Sequence, residues 1–225
     1  MDQTSVIFGA LGVVTVESRG VDSVPVRSSE SPSDRVTVTL SIASNGAKLL
    51  PFVIFRGTCH GRVSREFVRR ENPFPDGLIC ATTANAWMTE DLMMQWIDTI
   101  LVPFAGSTGR DAICLVLDSF QVHLKDTVKE WLRIEEIDFV YIPGGLTGEL
   151  QPLDIGINGP FKRLLRDAFI ETAESNRLTT TEKRLYLAQK ISECWSSISE
   201  DSMTNSFGRM LITTLNDIGE NTEIE

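Results

Sequence analysis

AICLVLDSF, at residues 112–120, is the stretch that decides the fold. The continuous apolar run from Ala112 to Leu117 is typical of a strand that is buried on both faces of a sheet. The run ends at Asp118, where the strand is expected to leave the core. A charged carboxylate there is costly to desolvate unless a cation neutralises it, so Asp118 is a candidate metal ligand. In the alternative interpretation, a strand-end aspartate only caps the next turn.

Upstream of this strand, the pattern predicts a β-hairpin. Arg35 to Ser44 alternates apolar residues with Thr and Ser, as a half-buried strand does. Leu49 to Phe55 forms a second apolar run, and the Asn45-Gly46 pair between the two runs is a strong turn signal. A Ser- and Pro-rich stretch at 17–34 and a basic stretch at 56–77 are both predicted to be loops.

Helices and one more strand follow in alternation. Thr89 is expected to cap a helix that ends at Pro103. Further elements are predicted downstream: a helix at 126–134, a strand at 139–142, a helix opened by Pro160, and helices at 179–195 and 203–215. Strands first, then a β/α stretch and then helices indicate an α/β fold with a mixed sheet covered by helices.

Composition limits the class of protein. The four cysteines are far apart without a CxxC pair, which argues against zinc and favours a reducing intracellular compartment. No apolar run approaches the roughly 20 residues that cross a bilayer, so no membrane partner is expected. The net charge of −10 disfavours strong DNA binding, although arginines cluster between 56 and 70. That cluster is either a local basic track or a solvated loop.

Two further carboxylates could join Asp118. Asp154 lies in LQPLDIG, just ahead of a predicted helix, and Asp2 lies in MDQT. Carboxylates that converge from separate elements are what two-metal phosphodiester chemistry needs, and oxygen ligands select Mg²⁺ or Mn²⁺ over Zn²⁺. Alternatively, Asp154 is a helix N-terminal acid favoured by the helix dipole, and Asp2 is an arbitrary terminal acid.

Five stretches, in order, resemble the DDE transposase domain shared by pogo, Tigger and jerky elements and by centromere-binding protein B. They are MDQT at 1–4, VTVTLSIASNGAKLLPFVIFRG at 36–57, NAWMTEDLMMQWIDTILVPF at 85–104, CLVLDSFQVHL at 114–124, and VYIPGGLTGELQPLDIGINGPFKRLLR at 140–166. The most specific pieces are LDSFQVH and LQPLDIGINGPFK.

The resemblance implies a ribonuclease-H-like mixed sheet flanked by helices, with a catalytic core at 1–170 and a helical C-terminal extension at 171–225. It implies a catalytic and metal-binding triad of Asp2, Asp118 and Asp154 that holds two Mg²⁺ or Mn²⁺ ions. The reaction would be DNA hydrolysis followed by strand transfer. The partners would be element ends and target DNA, the location nuclear, and a homodimer would form through a longer parent protein. Since only Met1 precedes Asp2, we expect the first strand to be cut short.

Other residues around the triad have two interpretations each. His123 and Gln151 are candidate partners of the acids, or a structural histidine and a loop residue. Three cations on the helix after Asp154 are candidate contacts to the DNA backbone, or simply its solvated face: Lys162, Arg163 and Arg166. The four tryptophans are predicted to lie in the core rather than to stack on bases.

Two other functions stay open. The chain is alternatively an inactive, domesticated transposase core that serves as a DNA- or chromatin-associated interaction module. A weaker alternative is a ribonuclease-H-type nuclease acting on RNA–DNA hybrids.

Overall fold

The computed structural model describes residues 1–7, 35–68, 74–109, 113–171 and 178–221. Six strands in these ranges form two hydrogen-bonded sheets. The first sheet has the order β1-β2-β3-β4, with β1 and β3 antiparallel to β2 and with β4 parallel to β3. Its strands are β1 (Asp2–Ile7), β2 (Arg35–Leu40), β3 (Phe52–Arg56) and β4 (Ile79–Thr83). The predicted loop at 17–34 lies outside the described residues.

The second sheet is a parallel pair formed by β5 (Ile113–Asp118) and β6 (Ile137–Ile142). A hydrogen bond of 3.1 Å from the Met1 amino group to the Val116 carbonyl oxygen joins it to the first sheet. β1 and β5 therefore lie side by side, and each carries one of the predicted site aspartates.

The helices confirm most of the predicted elements. Thr89 caps α2 (Glu90–Trp96) by accepting a hydrogen bond from the Leu92 amide, and Thr179 forms a capping box with Glu182 at the start of α8 (Thr180–Ser197). The helices within the described ranges are α1 (Arg62–Phe67), α2 (Glu90–Trp96), a π-helical segment (Ile97–Leu101), α3 (Val102–Ser107), α4 (Asp126–Ile134), α5 (Thr147–Leu150), α6 (Pro152–Gly156), α7 (Asn158–Glu171), α8 (Thr180–Ser197) and α9 (Glu200–Asn221).

The central strands place apolar side chains on both faces of the first sheet. Val53 and Phe55 of β3 pack with α7 and α8 residues such as Phe161 and Trp195. Phe52 and Ile54 point to the other face, into a cluster with residues of α2, β5 and α4. Helices thus cover both faces of a mixed sheet, which confirms the predicted fold class. The predicted boundary between residues 170 and 171 stays a prediction.

Three local predictions were wrong. β2 is buried on both faces rather than half-buried, since Thr37 and Thr39 are buried as well as Val38. β5 was predicted to be buried on both faces, but its Cys114 is exposed. The basic stretch at 56–77 contains α1 rather than loop alone.

Pro103 does not end the helix that begins after Thr89. The chain continues through the π-helical segment into α3, in which Pro103 is in the first turn. The widened turn ahead of it bonds the Val102 amide to the Ile97 carbonyl, so the proline's missing donor falls where the hydrogen-bonding pattern already changes.

One buried ion pair ties α1 to α8. Glu66 is 3% exposed and accepts two hydrogen bonds from Arg184, at 2.7 and 3.0 Å, and one from Thr181 at 3.0 Å. Burial raises the pKa of Glu66, but the bonds from Arg184 and Thr181 outweigh it and hold that pKa below its ordinary value. The carboxylate is therefore kept charged inside the protein.

Removal of Arg184 should leave that charge without its main partner. We expect Arg184→Ala to lower the free energy of unfolding in urea by about 3 kcal/mol. The control is Lys190→Ala on the same helix, whose surface pair with Glu193 is expected to contribute less than about 1 kcal/mol. Equal losses in the two variants would contradict this account of the α1–α8 contact.

Candidate active site

The three predicted aspartates come from three separate elements. Asp2 opens β1, Asp118 closes β5, and Asp154 lies within the short helix α6. The first strand was expected to be cut short at Asp2, but β1 continues for six residues and pairs with β2 as far as Ile7 opposite Arg35, so Asp2 lies at its beginning. Asp154 was expected in a loop ahead of a helix and is instead helical.

Asp2 and Asp154 meet at a single amide. The side-chain nitrogen of Asn158 donates to Asp2 Oδ2 at 2.6 Å and to Asp154 Oδ1 at 2.8 Å. Asp2 is 8% exposed, whereas Asp154 is exposed. Burial and the nearby charge of Asp154 raise the pKa of Asp2, while the Asn158 hydrogen bond opposes the shift. The two carboxylates therefore lie close enough for the charge of Asp154 to raise the pKa of Asp2.

Asp118 contacts His123 instead. His123 is 1% exposed, and its Nδ1 lies 2.6 Å from Asp118 Oδ1. The same oxygen accepts the Phe120 amide at 3.2 Å. Burial raises the pKa of Asp118, but the hydrogen bonds from His123 and from the Phe120 amide bring it below its ordinary value. Asp118 is therefore held as a carboxylate with a fixed orientation.

Gln3 completes this arrangement from β1. Its amide nitrogen lies 3.0 Å from His123 Nε2. Because an amide nitrogen only donates, Nε2 is the acceptor and Nδ1 carries the proton that is given to Asp118. The residue beside Asp2 thus fixes the ring that orients Asp118.

The Met1 amino group connects the two halves of the site. Burial lowers its pKa to about 6, although the negative charges of Asp2 and Asp118 act in the opposite direction. Both carboxylates are therefore within electrostatic reach of the same nitrogen. Gln151 lies behind them, 2% exposed, and donates to the Met1 carbonyl oxygen at 3.2 Å.

The helical cations follow the acids along α7. Lys162, Arg163 and Arg166 are all exposed. Lys162 and Arg166 come four and eight residues after Asn158, so they share its face of the helix.

α6, which carries Asp154, packs closely against α9, since a Cβ on Gly156 would lie 2.4 Å from Ser206 Oγ.

Sequence reasoning missed Asn158 and Gln3. Asn158 had a signal in its spacing, because it follows Asp154 by four residues and its amide is a donor that two carboxylates can share. Gln3 had none, because its role depends on how close β1 lies to the turn after β5. The sequence analysis also predicted that all four tryptophans lie in the core. This prediction is wrong for Trp87, which is 44% exposed.

The carboxylate oxygens of Asp2, Asp118 and Asp154 are suitable ligands for a hard divalent cation, but the three side chains do not converge on one point. Carboxylate oxygens are the ligands that Mg²⁺ and Mn²⁺ prefer. Within the described residues, however, no three His, Cys, Asp or Glu side chains form a group that could hold a metal ion. Asp2 and Asp154 fit as a pair, while Asp118 is turned to His123.

Comparison with known proteins identifies the family of the chain. The DDE superfamily endonuclease family matches residues 33–207. "Pogo transposable element with KRAB domain" from Mus musculus is 30% identical over 97% of this chain, and the Homo sapiens protein of that name is 28% identical over 95%. The chain spans 36% and 35% of their lengths.

A third relative, "MFS-type transporter clz9" from Cochliobolus lunatus, is 29% identical over 59% of this chain and 14% of its own length. In the part of this chain that the structure describes, no helix is long and apolar enough to cross a membrane. The matches to the family and to the two pogo proteins cover most of the sequence. The chain belongs to the DDE superfamily endonucleases.

Proposed function

We propose that this chain is the catalytic core of a metal-dependent DNA endonuclease, derived from a transposase, that hydrolyses phosphodiester bonds and transfers the freed 3′ end. The observation that carries the proposal is the meeting of Asp2 and Asp154 at the Asn158 amide. These residues lie at distant points of the sequence, and a fold that brings two carboxylates together at one donor must offset their repulsion. Because the chain belongs to a family of endonucleases, we interpret this pair as part of a site that cleaves phosphodiester bonds.

Asp2, Asp118 and Asp154 would hold two Mg²⁺ or Mn²⁺ ions. Bound there, the ions would lower the pKa of the attacking water or 3′-hydroxyl and stabilise the leaving oxygen. Asp2 and Asp154 already share the Asn158 amide, and a bound ion would supply the positive charge that this neutral donor lacks.

The chain's own residues prepare Asp118 for this role. Both described hydrogen bonds to its carboxylate, from His123 and from the Phe120 amide, go to Oδ1. Oδ2 is thereby the oxygen left for a ligand. His123, itself oriented by Gln3, is a positioning residue, because fixing a carboxylate before binding lowers the cost of ordering it.

DNA is the substrate that the surroundings favour. Lys162 and Arg166 are exposed on α7, about one and two helical turns after Asn158, and would contact backbone phosphates. Arg163 projects from the same helix. Element ends and target DNA would both pass this helix, and such a substrate implies a nuclear location. A homodimer would depend on parts of a longer protein.

One observation favours a second candidate, an inactive interaction module. Asp118 is bonded to His123, Asn158 bridges the other two acids, and no group of three ligands is assembled among the described residues. A domesticated core that has lost catalysis would keep these hydrogen bonds of the three aspartates when cations are added.

The two candidates separate in a nicking assay. We expect the chain to convert supercoiled plasmid to the nicked form in the presence of Mn²⁺ and not in EDTA. Asp118→Asn and Asp154→Asn should each reduce the rate by roughly 100-fold or more, because loss of even a supporting residue costs about 10–100-fold at metal sites. The matched control is Asp126→Asn, since Asp126 is 90% exposed at the start of α4.

Nicking that survives in both active-site variants would contradict the proposed function. The absence of Mn²⁺-dependent nicking in the parent chain, with Asp126→Asn equally inert, would favour the interaction module. An RNA–DNA hybrid in the same assay tests the ribonuclease alternative, which requires hybrid cleavage to exceed DNA cleavage.

Asn158→Ala tests the role of the shared amide. Without a donor, the Asp2 and Asp154 carboxylates face each other directly, so the variant should be less stable than the parent in EDTA by about 1–3 kcal/mol. Mn²⁺ should recover a larger part of the stability in the variant than in the parent. Urea unfolding with and without Mn²⁺ measures both effects, and an Asn158→Ala variant as stable as the parent in EDTA would refute this role.

A further inference from the structure

An exposed aromatic side chain lies at the edge of the proposed active site. Trp87 is 44% exposed, in the turn between β4 and α2. The other described tryptophans with buried rings, Trp96 and Trp195, are 0% and 4% exposed. A large apolar surface that is left in water near a proposed catalytic centre requires an explanation.

The turn holds Trp87 in a defined position. The Trp87 amide donates to Asn85 Oδ1 at 3.2 Å, and its carbonyl oxygen accepts the Thr83 hydroxyl at 2.9 Å. Ala86, 1% exposed, fixes the turn at a positive φ of 58°. The exposure of the ring is therefore a property of an ordered turn.

A chain of rings connects Trp87 to Asp118. The Trp87 ring lies 6.4 Å from the Phe120 ring, which contacts the His123 ring edge-on at 5.5 Å. His123 in turn lies 2.6 Å from Asp118. Trp87 is thus one aromatic ring away from the residue that orients the carboxylate.

Arg35 adds a positive charge to the same place. Its guanidinium carbon lies 5.0 Å from the centroid of the Trp87 ring. Its Nε is buried without a hydrogen-bond partner, and none of the described ion pairs includes Arg35. A cation in contact with a ring that is still 44% exposed suits a ligand that has both a planar ring and an anionic group.

We propose that Trp87 and Arg35 form a nucleotide-binding platform, in which an unpaired nucleobase stacks on Trp87 and its phosphate contacts Arg35. This inference rests on the proposed function, because it gives the platform a DNA strand to bind beside the cleavage site. The base must be unpaired or at a strand end, since bases inside a duplex do not present their faces. The platform would hold one strand next to Asp118.

Binding of a fluorescein-labelled ten-nucleotide oligothymidylate, followed by anisotropy in EDTA, tests the platform without any cleavage. We expect Trp87→Ala to weaken binding by about tenfold, within the range measured for base stacking on aromatic residues, and Trp87→Phe to retain most of the affinity. Arg35→Ala should weaken binding and reduce the dependence of the Kd on salt by about one phosphate contact.

Two control variants match these changes. Leu124→Ala removes an aliphatic side chain that is 40% exposed, close to His123 in sequence, and should leave the Kd unchanged. Arg133→Ala removes a guanidinium that lies 5.6 Å from the Phe139 ring, a comparable pair away from Trp87 and Arg35 in sequence. Arg133→Ala should leave the Kd unchanged, whereas Arg35→Ala should raise it.

The protein's own fluorescence gives a second readout. Oligonucleotide should change the tryptophan emission of the parent and leave that of Trp87→Phe unaltered, although Trp87→Phe still binds. Equal affinities for Trp87→Ala and the parent, or no measurable binding by the parent, would overturn the proposal. If the variants bind as expected but plasmid nicking is absent, the platform stands and only the proposed catalysis fails.

Discussion

The amide nitrogen of Asn158 is the contact on which the candidate site depends. It satisfies two carboxylates at once, one from the first strand and one from a helix more than a hundred residues later. Asp2 is almost fully buried, so its charge is costly, and the charge of Asp154 adds to that cost. The fold tolerates the arrangement because this donor and the packing of α6 against α9 hold the helix in place.

The two halves of the site are built differently, and the difference has a physical reason. Asp118 has a hydrogen-bonded partner ring and a backbone donor, and its pKa lies below the ordinary range. Asp2 accepts hydrogen bonds from the Asn158 amide and from the Gln3 backbone, but burial still holds its pKa above its ordinary value. A cation at this site would therefore depend on both halves, on the Asp2–Asp154 pair for two neighbouring carboxylates and on Asp118 for a carboxylate that is already charged and oriented.

Much of the fold could be predicted from local sequence patterns, because these elements depend mainly on residues that are close together in the sequence. The Asn45-Gly46 turn, the Thr89 cap and the apolar run before Asp118 all specify their structure within a few residues. The three aspartates were named from the sequence, and Asp2 and Asp154 do meet. Their roles stay a prediction.

The rest depends on packing between distant segments. The burial of both faces of β2 and the contact of Gln3 with His123 are set by residues far away in sequence. Periodicity reports which side chains are apolar, and it does not report which face another element will cover.

The most direct test of the central claim is thermal unfolding of the chain with and without millimolar Mn²⁺, beside Asp118→Asn. A ligand that binds only the folded state stabilises it, by about 2.7 kcal/mol at one hundred times its Kd. The account predicts that Mn²⁺ raises the Tm of the parent and leaves that of Asp118→Asn nearly unchanged. No shift in the parent, or equal shifts in both proteins, would contradict a metal site built on these aspartates.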